Sequence, residues 1–145
     1  MTKNYPDKWI RQAIFNLLDG TTVDGQTINC FDSRLSAGAN RSNYYLMSLQ
    51  TNLVDNNNKC DANWQSDIRL ECVSIYQSTG NTGSRLMADN MADNMRNLLS
   101  GTITLNASSG LTVNWQKLSN YTDLVTPSGT QIIYRKIAIL DLYIE

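Results

Sequence analysis

The sequence predicts an α+β fold: a mostly antiparallel, twisted sheet with two amphipathic helices packed on one face and a long hairpin protruding. Three observations carry that expectation. Two stretches repeat apolar residues at helical spacing, several others alternate with a period of two, and Asp-Gly, Asn-rich and Pro-Ser-Gly runs punctuate the boundaries. The length of 145 residues makes one domain over 1–145 the default, and a chain of this size buries roughly 68–70% of its unfolded surface.

The first helix is expected at about residues 5–18. Trp9, Ile10, Ala13, Ile14, Leu17 and Leu18 line one side of it, while Lys8, Arg11, Gln12 and Asn16 lie between them. Pro6 suits a first turn because its missing N–H costs nothing there, Asp7 opposes the positive end of the helix dipole, and Gly20 marks the stop. Residues 19–26 contain two Asp-Gly pairs and read as a loop. A short strand at Thr27–Phe31 follows, then a Ser/Gly/Asn-rich connection over 33–42.

Asn43–Val54 alternates as a strand, with Tyr45, Met47 and Leu49 on one side and Tyr44, Leu46 and Ser48 on the other. Trp64–Tyr76 does the same, with Ile68, Leu70 and Cys72 opposite Arg69, Glu71, Val73 and Ile75. The polar run 55–61 between them makes the pair a hairpin with a long tip. A second helix is expected over Ser84–Leu99, with Met87, Met91, Met95 and Leu98 along one side, Ser84 or Thr82 as its cap and Gly101 beyond its end. Strands at Gly101–Leu105, Leu111–Leu118 and Gln131–Glu145 complete the sheet. The last is apolar on both faces: Ile132, Tyr134, Ala138, Leu140, Leu142 and Ile144 lie on one, and Ile133, Ile137, Ile139 and Tyr143 on the other. A strand of that kind must be covered twice, and two helices supply cover for one face only.

Composition narrows the function. With 41% apolar and 17% charged residues the chain is expected to fold, and with 12 basic against 13 acidic residues it has no global pull toward nucleic acid or anionic lipid. No apolar run approaches the roughly 20 residues that span a bilayer. The start does not read as a signal-peptide core, so a soluble protein made in a cytoplasm is expected. Cys30, Cys60 and Cys72 are odd in number and widely spaced, which reads as reduced thiols, two of them buried. The absence of histidine removes the commonest general base and the commonest transition-metal ligand.

Individual motifs point the same way. The Asp55, Asn57, Lys59, Asp61 run has the alternation of a calcium loop, but Lys59 stands where a ligand belongs and Cys60 replaces the turn glycine, so a solvated hairpin tip is the better reading. Asn-X-Ser/Thr triplets at Asn40, Asn106 and Asn120 are what an Asn-rich chain produces by chance. The Met87/Met91/Met95 stripe reads as core before it reads as a pliable groove. Asp67 with Glu71, and Asp89 with Asp93, read as surface carboxylates because no apolar pocket accompanies them. Gly80–Arg85 lacks the lysine and glycine spacing of a phosphate loop. No catalytic, cofactor-binding or metal-binding residue is expected, and the protein is read as non-enzymatic.

The order helix, extended hairpin, helix, then strands ending in a long C-terminal strand resembles the tail-terminator family of tailed bacteriophages. That family includes minor tail protein U-like, tail-completion and head–tail connector proteins. The residues that carry the resemblance are Trp9–Leu18, Ile68–Tyr76, the turn Gly80–Gly83 with Ala88, Met91, Ala92 and Leu98 after it, and Tyr134–Leu142. The resemblance implies a tail-terminator-like domain that forms a homo-oligomeric ring of six or twelve copies at the head–tail junction or tail end, assembled in the host cytoplasm and resident in the virion. Expected subunit contacts are Tyr44, Leu46, Ile133, Ile137, Ile139 and Tyr143. Asn40, Arg41, Asn57 and Lys59 are the expected contacts to neighbouring tail or connector proteins, and Lys117, Arg135 and Lys136 are candidates to line a lumen that passes DNA. The alternative is a small non-enzymatic adaptor or inhibitor that binds one partner protein through a sheet edge.

Overall fold

The computed structural model describes residues 5–32, 42–58, 61–78 and 83–145. Helix α1 spans Asp7–Leu18, strand β1 Thr21–Val23, β2 Gln26–Asp32, β3 Asn43–Asn58 and β4 Asp61–Gln77. Helix α2 covers Arg85–Leu98, a single 3-10 turn covers Ala107–Ser109, and β5 (Val113–Ser128) and β6 (Gln131–Ile144) end the described chain. The sheet has six strands in the order β1-β2-β3-β4-β6-β5, and every pairing is antiparallel except that of β2 with β3. It is a twisted α+β sheet with two packed helices, and it does not close into a barrel.

The core lies between the helices and one face of the sheet. From α1 come Ile10, Ile14 and Leu18, and from α2 come Met87, Met91 and Met95. They meet Tyr45 and Met47 on β3, Ile68, Leu70 and Cys72 on β4, and Ala138, Leu140, Leu142 and Ile144 on β6. The methionine stripe is core. Alternation along each strand selects these residues, because successive side chains point to opposite faces. Each of the Ile, Leu and Met side chains among them contributes about 1.5–3 kcal/mol when fully removed from water.

Ser84 caps α2: it has extended backbone, and its Oγ accepts from the Met87 N–H at 3.0 Å. A buried polar relay fixes the approach to that cap. The Asn43 side-chain amide donates to Gln26 (2.9 Å), the Ser74 hydroxyl donates to Asn43 (2.6 Å), and the Ser84 N–H donates to Ser74 (2.9 Å). Gly83 sits so close to β4 that a Cβ there would lie 1.9 Å from the Ile75 carbonyl oxygen.

Three expectations need correction. The loop over 19–26 contains β1, because Asp24 and Gly25 both take positive φ (49° and 76°) and so form the two-residue turn that closes a hairpin between Val23 and Gln26. The strand expected at Gly101–Leu105 is not one. Ile103 and Leu105 are buried as alternation requires, but the Gln116 side chain takes up the local backbone groups. Gln116 accepts from the Ile103 N–H (2.8 Å) and donates to the carbonyls of Leu99 (2.8 Å) and Gly101 (2.9 Å). Finally, the strand expected to stop at Leu118 runs to Ser128, through a register shift between Ser119 and Thr122 and through Pro127, which an edge strand tolerates.

Candidate functional site

No helix among the described residues covers the face of the sheet turned away from α1 and α2, although Phe31, Tyr44, Val73 and Glu71 are buried at one end of it. The register places Phe31 on β2, Tyr44 and Leu46 on β3, Val73 and Ile75 on β4, Ile133, Ile137, Ile139 and Tyr143 on β6, and Trp115 and Leu124 on β5 together on that face. Phe31, Tyr44 and Val73 form a small buried cluster of their own, with the Phe31 and Tyr44 rings edge to face at 5.7 Å. Around it Leu46, Ile75 and Ile133 are half-buried, and beyond it Ile139 is 36% exposed, Leu124 42% and Trp115 51%.

All six residues expected at subunit contacts lie on this face, although β4 separates the β3 pair from the β6 set. Tyr143 is held in place by Asn63, whose side-chain amide donates to its hydroxyl at 3.1 Å. Of the residues expected at partner loops, Asn40, Arg41 and Lys59 lie outside the described residues, and Asn57 is placed only as part of β3.

The three cations expected in a lumen do not act as a set. Lys117 and Arg135 share the uncovered face, but Lys136 has the opposite parity and sits under α2. Its Nζ is 2.9 Å from Asp89 and 3.4 Å from Asp123. The hydrogen bond to Asp89 is the main reason its pKa is raised, so this charge is neutralised within the chain.

On this face the described side chains include the acidic residues Asp67, Glu71 and Asp141 and the basic residues Arg69, Lys117 and Arg135. Arg69 and Glu71 pair at 3.5 Å. Glu71 is only 6% exposed, which corrects its reading as a surface carboxylate. Asp67 faces Asp141 across the β4–β6 ladder, not Glu71. Burial, first, and then the hydrogen bond and charge of Asp67 raise the Asp141 carboxyl to about 6, against the lowering effect of Ser119 and Lys117. Sequence spacing could not show this pair, because its members come from strands far apart in the chain.

Cys30 and Cys72 are free and buried, and burial pushes the Cys30 thiol up to about 12 and that of Cys72 further still. Such thiols are neither nucleophiles nor metal ligands at neutral pH. Among the described residues no group of three or more His, Cys, Asp or Glu could hold a metal ion, and no helix is long and apolar enough to cross a membrane. Shallow grooves flank Thr102–Thr104, lined by Ala13, Leu17 and Leu98 on one side and by Leu105, Leu111 and Val113 on the other, and no titratable side chain lines either. The described residues form no catalytic constellation.

The fold has a relative among solved structures. It matches a chain of the structure described as "Virion of native gene transfer agent (GTA) particle" with a TM-score of 0.66, covering 94% of this chain and 96% of that one at 9% identity. At that identity the likeness is one of fold, and it extends over nearly the whole of both chains. No family model matches the sequence, and no curated protein does.

Proposed function

We propose that this chain is a structural virion protein of a tailed phage or related particle, one that assembles with copies of itself into a ring at the head–tail junction or tail end. The observation that carries this reading is the near end-to-end likeness of its fold to a chain of a gene transfer agent virion. The uncovered sheet face supports it. Half-buried apolar groups alternate there with side chains of both charge signs, a mosaic well suited to another protein surface. A repeated contact between identical chains supplies such a surface at every position of a closed ring.

In this reading Tyr44, Leu46, Ile133, Ile137, Ile139 and Tyr143 carry the subunit contact, and Asn40, Arg41, Asn57 and Lys59 reach neighbouring tail or connector proteins. Native mass spectrometry with negative-stain imaging of the purified chain tests it. A closed ring of six or twelve copies with a central hole is the expected result. A monomer at micromolar concentration that no virion protein drives to assemble refutes it.

One observation favours a second reading. Among the described residues strand β5 ends the sheet, with no described strand beside its outer edge over Val113–Ser128, the arrangement that binding a partner by strand addition uses. A one-to-one complex in place of a closed oligomer would select that adaptor role.

A further inference from the structure

The uncovered face contains one arrangement that works against the folded sheet. Asp67 on β4 and Asp141 on β6 are direct cross-strand partners, two carboxyls side by side on one face of the sheet. Like charges placed opposite one another on a sheet are destabilising. The surrounding charges do not cancel the pair. From β5, Lys117 stands opposite Asp141 and Ser119 hydrogen-bonds to it. From β4, Arg69 follows on the same face, but its guanidinium is 3.5 Å from Glu71. From β6, Ile139 and the phenol of Tyr143 flank Asp141, and from β3 comes the uncharged Thr51. Both helices lie on the opposite face. Among the described residues, Lys117 is therefore the uncommitted cation facing two adjacent carboxylates.

We propose that the Asp67–Asp141 pair makes association of copies through this face a proton-linked step. When a second copy covers the face, the two carboxyls share one proton taken from solvent, held between an oxygen of each. When both are ionised, they resist being covered. The inference rests on the self-assembly reading above, and it follows from the cost of dehydration. A neighbour that displaces water from two touching anions must overcome two desolvation penalties with one lysine, whereas a shared proton leaves one net charge for Lys117 to balance. In the single copy, partial burial and the neighbouring Asp67 already raise the Asp141 carboxyl above the ordinary carboxylate range, to about 6.

Sedimentation velocity of the full chain between pH 5 and 8 at constant ionic strength tests the link, with Asp141→Asn and Asp67→Asn run beside the wild type and circular dichroism confirming that each is folded. The wild-type association constant should fall by up to about tenfold per pH unit above 6, the slope for one proton taken up per contact. Either Asn variant should flatten that slope, and two variants guard against one failing to fold. A wild type that assembles with no dependence on pH, or folded Asn variants that both keep the wild-type slope, would overturn the proton link while leaving assembly intact. A wild type that is monomeric at every pH would overturn the assembly reading and this inference with it.

Discussion

The Tyr45 hydroxyl donates to the main-chain carbonyl of Met91 at 3.0 Å, in the buried layer where β3 meets α2. The same oxygen accepts from the Asn94 side-chain amide at 2.9 Å, and Asn94 also reaches the Thr21 hydroxyl, which donates to the Leu18 carbonyl. A single phenol thereby ties the sheet to α2 and, through β1, to the end of α1. A hydroxyl this deep is stable only because it is fully partnered.

Tyr45→Phe should cost about 1–2 kcal/mol in a urea melt, since it leaves Asn94 short of an acceptor and removes one buried hydrogen bond. Burial is also the main reason the Tyr45 phenol is harder to ionise than a free one. Its ultraviolet titration should therefore lag behind that of free tyrosine.

Gly83→Ala should destabilise by about 1–3 kcal/mol, because the added methyl meets backbone on β4 that cannot swing aside as a side chain would. Ser84→Ala, which deletes only the cap of α2, should cost about 1 kcal/mol. Thermal melts of the two variants compare steric and capping losses at adjacent positions.

The pH profile of stability should carry the mark of Asp141. Its folded-state pKa is raised to about 6, so its contribution to stability is fully present below the ordinary carboxylate value near 3.8 and is lost as pH rises through 6. Asp141→Asn keeps a neutral group there, and its melting temperature should exceed that of the wild type above pH 6 and converge with it below pH 4. Equal profiles would show that the strain is absent.

Cys30 and Cys72 should resist alkylation in the native protein and react only on unfolding, as read by peptide mass spectrometry after iodoacetamide treatment at pH 8.

Ile139→Lys should leave the fold intact, because its side chain is already 36% exposed, and should weaken association by at least about tenfold by placing an unpaired charge in the contact. Unchanged association would exclude the β6 side of the sheet face from the interface.

Much of the fold was legible because its signals are periodic. The alternation of Ile68, Leu70 and Cys72, the 3–4 spacing of Met87, Met91 and Met95, and the Ser84 cap each depend on residues close together in sequence. What escaped depends on partners brought from a distance. The alternation of Ile103 and Leu105 is a strand signal, but a strand needs a neighbour, and the Gln116 amide occupies the backbone groups such a neighbour would use. Lys136 looked like Arg135 beside it, yet the one-residue offset sent the two to opposite faces, one of them onto Asp89. Asp67 was weighed with Glu71, its neighbour at helical spacing, whereas pairing with Asp141 follows only once β6 is known to lie beside β4.

The place of β6 in the middle of the sheet also bears on how the protein is made. Because Gln131–Ile144 slots between β4 and β5, a ribosome must deliver those residues before the long hairpin gains its second neighbour and the core gains Ala138, Leu140, Leu142 and Ile144. Until then β4 is a bare edge lined with aliphatic groups, the kind of nascent species that chaperones hold and that aggregates when they are scarce. Slow folding dominated by long-range pairing is the kinetic cost of weaving the last strand into the centre.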